Sequence, residues 1–383
     1  MHVLILGTRG IPANHGGFET FAEDLALFLT AKGHSVTVYC QTEPGTPSGE
    51  DVWKGVRRIL IPVENTPLGT IVFDWKATWH SSREDGVILT LGYNTAIFTV
   101  VYRLKGMPHV MNMDGIEWKR PKWSKLQRAW LRLNEWIGAH VADHLVADHP
   151  EIEKHLQRHT APKKITMIPY GADRISSTEN DLIGRFGLNS KQYYLLIARP
   201  EPENSVVEVV QAFSRDKRGL PLVVLGRYSP DIPYHHRVME SAGPEILFLG
   251  AIYERDVVQA LRSHTRAYFH GHTVGGTNPS LVESLGTGTA IIAHDNRYNR
   301  WVAGDGARYF QSTDDLATLI GTLEAEPDRL IAMEGASRGQ HKALFTKETP
   351  LELYEQLLQS QVVARTIHRK IPAIRPTEKD STI

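Results

Sequence analysis

Short apolar runs alternate with helix-length amphipathic stretches along almost the whole chain, and this alternation constrains the fold more than any other feature. "HVLILG", "SVTVYC", "RRILIPV", "GVILTLG", "HVMNMDG", "DHLVADH" and "KITMIPYG" read as strands, with helical patterns over 18–32, 93–105 and 123–140 between them. Near Pro169–Ala172 the pattern restarts with "YYLLIARP", "PLVVLGRY", "EILFLGA", "TRAYFHGH", "TAIIAHD" and "ARYF". Strands separated by helices pair in parallel, so each half reads as a doubly wound α/β sheet. The expectation is two Rossmann-like domains facing across a cleft, with ligands at the C-terminal ends of the strands. Residues 1–170 form the first domain and 171–350 the second. Residues 351–369 form a closing helix that packs back on the first domain, and 370–383 a flexible tail.

Composition narrows the class. The 383 residues carry 43 basic and 43 acidic side chains, so overall charge provides no drive toward nucleic acid. The lone Cys40 fits a reducing cytosol. Met1 leads straight into a strand pattern, which leaves no room for a signal peptide, and no window reaches the roughly 20 apolar residues of a membrane span. A cytoplasmic protein is expected, with peripheral contact at the inner face of the plasma membrane left open.

The first strand runs into "GTRGIPANHGGFETF". Gly7 and Gly10 are three apart, so this is not the G-x-G-x-x-G dinucleotide loop, and no Gly-Lys-Ser/Thr follows to make a Walker loop. The residue pattern places Gly16–Gly17 at the N-terminus of an amphipathic helix. Free N–H groups and the helix dipole there attract an anion, although a plain tight turn explains the glycines as well. The second half repeats the design in "HGHTVGGTNPSLVESLGTG": Gly275–Gly276, Asn278 as N-cap, Pro279 at the first helical position, then Glu283. Two such N-termini on opposite walls of a cleft suit a diphosphate. Arg199, at a strand end in "IARPEPENS", can clamp phosphate oxygens bidentately.

Taken in order, Gly16-Gly17-x-Glu19, "ADHLVADHPEI", "MIPYGAD", "ARPEPEN", "EILFLGAIYERDVVQAL" and "NPSLVESLGTGTAIIAHD" resemble the retaining family 4 glycosyltransferases of the GT-B fold, over roughly residues 3 to 350. "GIPANHGGFETF", "NMDGIEWKRPKW", "RPEPEN" and "HGHTVGGTNPSL" further resemble the branch containing bacterial rhamnosyltransferases of capsule and cell-wall polysaccharide assembly. The resemblance implies a nucleotide-diphosphate sugar donor, dTDP-rhamnose by the narrower likeness, and a lipid-linked saccharide acceptor. It implies that Gly17 lends its N–H to the donor diphosphate, that Arg199 holds the same group and that Glu283 binds the ribose. N–H groups around Asn278 and Ser280, with Gly16, Gly276 and Thr277, complete the cradle. Asp114 is the expected sugar or acceptor contact and base, with Glu117 second; Glu19, Tyr93 and Asn94 belong to the acceptor side.

Three positions depart from the family pattern. The first of its paired glutamates is Gly275, the lysine beside the clamp arginine is Asn204, and the first-domain histidine is Asp114. Arg9, His270 and His272 are the candidates to restore the missing cationic or donor character. His270 and His272 share a strand face and could bind metal, but no third ligand stands at suggestive spacing and there is no Asp-x-Asp. The expectation is no metal and no cofactor, with front-face transfer and retention.

"WKRPKWSKLQRAWLRLNEW" interleaves Lys119, Arg120, Lys122, Lys125, Arg128 and Arg132 with Trp118, Trp123, Trp130 and Trp136. A basic aromatic helix of this kind suits an anionic membrane surface. The competing reading makes Leu126, Trp130, Leu133 and Ile137 a core stripe. Two functional rivals stand beside the transferase: a catalytically silent nucleotide-sugar-binding subunit, favoured by Gly275, and a GT-B epimerase or phosphorylase.

Overall fold

The computed structural model describes residues 1–13, 17–176 and 178–370, with side chains to Arg365. The expected tail from residue 371 lies outside the described residues, as does Gly16.

Eight strands form the first sheet: β1 (His2–Leu6), β2 (Ser35–Thr42), β3 (Gly49–Trp53), β4 (Val56–Pro62), β5 (Val87–Leu91), β6 (His109–Asn112), β7 (His144–Ala147) and β8 (Ile165–Met167). Their order is β3-β4-β2-β1-β5-β6-β7-β8, parallel except for the β3–β4 pair. The second sheet holds β9 (Tyr194–Ile197), β10 (Leu222–Leu225), β11 (Ile246–Gly250), β12 (Tyr268–His270), β13 (Ile291–His294) and β14 (Arg308–Phe310). All its pairings are parallel, in the order β11-β10-β9-β12-β13-β14. The central strands are apolar without alternation because helices cover both faces.

The opening loop explains its first two glycines structurally. A Cβ on Gly7 (φ +86) would stand 2.2 Å from the Leu91 carbonyl oxygen, and one on Gly10 (φ +110) 2.6 Å from Cys40. Neither position tolerates a side chain, whatever the loop binds.

Three elements differ from the sequence expectation. Strand β3 is absent from it, because "GEDVW" is a mostly exposed edge strand with no apolar run. It pairs through a tight turn at Lys54 (φ 49) and Gly55 (φ 82), both left-handed as a type I′ hairpin requires. The helix expected over 93–105 begins as a 3₁₀ turn, Ala96–Thr99, and continues as Val100–Lys105. Helix α2 (Pro67–Ser81) also went unread, although Thr66 caps it by accepting the Gly69 N–H and Pro67 occupies its first turn.

The chain finishes in the helix Glu348–Lys370, which returns to the first domain. Leu351, Tyr354, Leu357 and Leu358 are buried there among Val3, Ile5, Phe21 and Leu25. Tyr354 stacks obliquely on Phe21 at 4.9 Å, and His34 bonds Glu355 at 2.8 Å. The closing helix therefore ties the end of the second half back to the first domain.

Candidate active site

A cleft of about 1220 Å³ separates the two sheets at the C-terminal ends of their strands. Helix α1 (Gly17–Ala31) starts on one wall and the helix Pro279–Gly286 on the other. Their N-termini meet: a Cβ on Gly17 would lie 2.7 Å from Cγ of Pro279. The positive ends of both helix dipoles therefore converge on one place. Arg9 and Arg199 line this cleft with exposed side chains, and neither guanidinium pairs with a carboxylate among the described residues. Unengaged cations in a concave site are ready for an anion.

The second-domain cradle is partly spoken for. Asn278 caps its helix by accepting the Ser280 N–H at 2.9 Å, and Asp148 of the first domain accepts the Thr277 N–H at 3.1 Å. The expectation that Ser280 and Thr277 offer free N–H groups is thus corrected, because a cap and a cross-domain carboxylate satisfy them first. Gly276 lies so close to Asp148 that a Cβ would fall 2.2 Å from Oδ1. Gly275 (φ +136) has no atom within 4 Å of the place its Cβ would take. Gly115, next to Asp114, packs 3.3 Å from the Gly275 Cα on the same measure.

Asp114 is in the left-handed region (φ 50) and lines the cleft; its N–H donates to Asn112 Oδ1 at 2.8 Å. The Asn112 amide in turn donates to the Tyr354 hydroxyl at 2.7 Å, so the closing helix holds the Asp114 turn. Glu117 also lines the cleft, but its Oε2 accepts from Arg120 Nε at 2.7 Å and Trp123 Nε1 at 3.3 Å. Burial raises the Glu117 carboxyl above its ordinary range, with Arg120 opposing. Tyr93 does not line the cleft. It is buried behind it, and its hydroxyl accepts the Glu117 N–H at 2.9 Å, a positioning contact in place of the expected acceptor contact. Asn94 and Glu19 are cleft residues, and Glu19 accepts the Arg9 N–H at 3.3 Å.

His270 is fully buried beneath His272, the rings stacked at 4.3 Å and 11°. Burial holds His270 well below its ordinary pKa and pushes His272 down to about 3, with Arg120 and Arg199 adding to the latter. Burial therefore disfavours the charged form of both imidazoles, which leaves hydrogen bonding as the part of the expected cationic or donor character open to them. Only His272 reaches the cleft. Asn204 fills the position of the missing lysine with a structural bond, its amide donating to the Arg199 carbonyl at 2.8 Å.

Arg262, Glu203 and Asp148 carry no role in the sequence reading, and Arg120, expected there on the basic segment at a membrane surface, turns into the cleft instead. Arg262, buried on the helix Arg255–His264, pairs with Glu283 at 2.6 Å and donates to Ser280 Oγ at 3.0 Å, fixing the Glu283 carboxylate at the cleft wall. Arg120 reaches across the cleft toward Glu203 at 3.9 Å, and neither Glu203 oxygen has another partner among the described residues. At Asp148, burial first, then Asp114, pushes the pKa up to about 8. The signal available was position: Arg262 and Asp148 are charged residues standing inside apolar periodicity. Elsewhere, Glu135, His155 and His159 bring ligand-type atoms within 4.8 Å of one another. Both Glu135 oxygens are already engaged there, by His155 and Trp118.

Two parallel Rossmann-like sheets facing one cleft, closed by a C-terminal helix, define the GT-B fold. Sucrose-phosphate synthase from Thermosynechococcus elongatus superposes with a TM-score of 0.78 at 17% identity, covering 95% of this chain and 99% of that one. HepE from Anabaena in complex with UDP-glucose gives 0.73 at 14% identity, covering 94% and 100%. The α,α-trehalose 6-phosphate synthase from Burkholderia multivorans gives 0.72 at 12%, covering 98% and 99%. A family profile described as a domain of unknown function (DUF1972) matches residues 1–173. No curated protein sequence matches the chain.

Proposed function

We propose that this chain is a glycosyltransferase that moves a sugar from a nucleotide-diphosphate donor to a saccharide acceptor. The observation that carries the proposal is the convergence of two helix N-termini with Arg9 and Arg199 in one interdomain cleft. Departure of a diphosphate builds negative charge, and preorganised dipoles and guanidinium groups at that place stabilise it without reorganisation. Arg199 and Arg9 hold the diphosphate, the N-terminus of α1 at Gly17 faces it, and Glu283, set by Arg262, takes the ribose hydroxyls. Asp114 faces the acceptor side. Domain closure excludes water from the reacting centre.

The finer assignment rests on the sequence resemblance to bacterial rhamnosyltransferases: L-rhamnose from dTDP-rhamnose, a lipid-linked acceptor, retention at the anomeric carbon, and no requirement for a divalent ion. The organism's inner membrane face is the place such an acceptor would be met. A silent nucleotide-sugar-binding subunit is the second reading, favoured by the open space at Gly275 where the family's first glutamate would stand.

The test is a thermal-shift panel of nucleotide sugars, followed by transfer to a synthetic lipid-diphosphate saccharide with and without EDTA, and NMR of the product linkage. Transfer with a new glycosidic bond supports the proposal. Binding without transfer or hydrolysis favours the silent subunit, and no shift with any nucleotide sugar overturns both.

A further inference from the structure

We infer that α2 and the helix Lys125–Val141 together form a docking face for an anionic phospholipid bilayer, at the mouth of the cleft. On α2, Leu68, Val72, Trp75 and Trp79 recur at i, i+4, i+7 and i+11, and all are exposed. The opposite side of α2 buries Phe73, Ala77 and Ser81. On the second helix Leu126 (82% exposed), Trp130, Leu133 and Trp136 (52%) face outward, while Leu131, Asn134, Glu135, Gly138 and Ala139 are buried. The core-stripe reading is thereby overturned for Leu126, Trp130 and Leu133, which point away from the protein, while its fourth member, Ile137, packs against the core.

The two helices flank one segment. Trp75 packs edge-on against Phe98 at 5.4 Å, and Asp74 accepts Thr95 Oγ1 at 2.8 Å. From the other helix, Trp130 Nε1 donates to the Asn94 carbonyl at 3.0 Å, and Asn134 Oδ1 accepts the Ile97 N–H at 2.9 Å. Asn94 lines the cleft, so the apolar face adjoins the site.

Charge identifies the occupant. Each helix contains one acid, and both acids turn inward: Asp74 to Thr95, and Glu135 to Trp118 and His155. The groups facing outward are basic: Lys76 on α2, Lys125 and Arg132 on its neighbour, and Arg83 over the Trp79 ring at 4.9 Å. Tryptophans flanked by Lys and Arg suit the boundary between headgroups and acyl chains of an anionic leaflet. A second copy fits poorly, because two-fold pairing would set like charges against each other. No helix among the described residues is long and apolar enough to cross a membrane, so the contact is lateral. The inference deepens the reading of a lipid-linked acceptor, yet it is measured without donor or acceptor.

The experiment is co-sedimentation of the full chain with phosphatidylcholine vesicles, with and without 30 mol% phosphatidylglycerol, at low and high salt. Binding is expected on anionic vesicles only, weakened by salt, with a blue shift of tryptophan emission. The Trp75→Ser/Trp79→Ser variant should lose at least tenfold in vesicle affinity with unchanged circular dichroism and melting temperature. Val52→Ser, at an exposed apolar residue of β3, should bind as the parent does. Failure of the parent to pellet, or equal pelleting of the double variant, overturns the inference. So does a concentration-dependent dimer abolished by the double variant. Vesicle binding without glycosyl transfer would sink the enzymatic proposal and leave this surface standing.

Discussion

Asp148, at the end of β7, accepts the Thr277 N–H from the other domain at 3.1 Å, while the Thr277 hydroxyl donates back to the Asp148 carbonyl. The carboxyl is buried with its Oδ1 unpartnered among the described residues, so it clasps the two domains at the floor of the cleft. An uncompensated buried carboxylate is costly, which is why this group favours its protonated form.

That clasp sets a pH dependence. Folded Asp148 has a pKa of about 8, above an ordinary value near 3.8, so the folded chain keeps a proton the unfolded chain releases. The stability it contributes is full below the unfolded value and is lost as pH rises through about 8. Asp148→Asn should flatten the fall of melting temperature between about pH 4 and 8, relative to the parent. Superimposable pH profiles for the two proteins would refute the assignment.

The cationic pair should govern donor affinity. Arg199→Ala and Arg9→Ala should each raise the donor Kd by roughly tenfold or more, in line with about 1.5–3 kcal/mol for a hydrogen bond to a charged group. Melting temperatures should stay within a degree or two, since both side chains are exposed. Isothermal titration with the donor found by the panel measures this, and an unchanged Kd for Arg9→Ala removes Arg9 from the site.

Gly276 should not tolerate a methyl group. Its Cβ would fall 2.2 Å from Asp148, so Gly276→Ala should destabilise by about 1–3 kcal/mol through overpacking. Combining it with Asp148→Ser should restore part of the loss, because the two sites touch. Denaturant unfolding of the four proteins in the cycle gives the answer; strict additivity contradicts the contact.

Arg262 acts through Glu283. Arg262→Ala leaves the Glu283 carboxylate and the Ser280 hydroxyl without this partner, at a cost of about 1–3 kcal/mol. Donor KM should rise more than kcat falls, and Arg262→Lys should recover part of the KM effect. An equal loss in kcat with KM unchanged would place the arginine elsewhere in the mechanism.

Much of the architecture is legible in the chain because burial on both faces writes continuous apolar runs, as in Val3–Leu6 and Leu222–Leu225. Strand β3 and helix α2 are not legible in this way. One is an exposed edge, and the other carries its apolar face toward solvent, so hydrophobic periodicity points the wrong way. At the site, Arg9, Gly17, Arg199, Asn278 and Glu283 stand out by residue type and local spacing, and all line one cleft. Tyr93 and His270 carried the same kind of signal and fold behind it.

By itself the amino-acid order determined two α/β units, their glycine turns and the helix caps, all of which depend on residues within a few positions of each other. Tertiary structure decided which of these groups meet. Asp148 and Thr277 are 129 residues apart, Asn112 and Tyr354 are 242 apart, and only packing of two domains and a returning helix brings them to bonding distance. The same packing decided that Thr277 spends its N–H on Asp148, that burial disfavours the charged form of two histidines, and that a tryptophan ladder faces outward. Burial, charge pairing and exposure are properties of the assembled environment, and no local pattern encodes them.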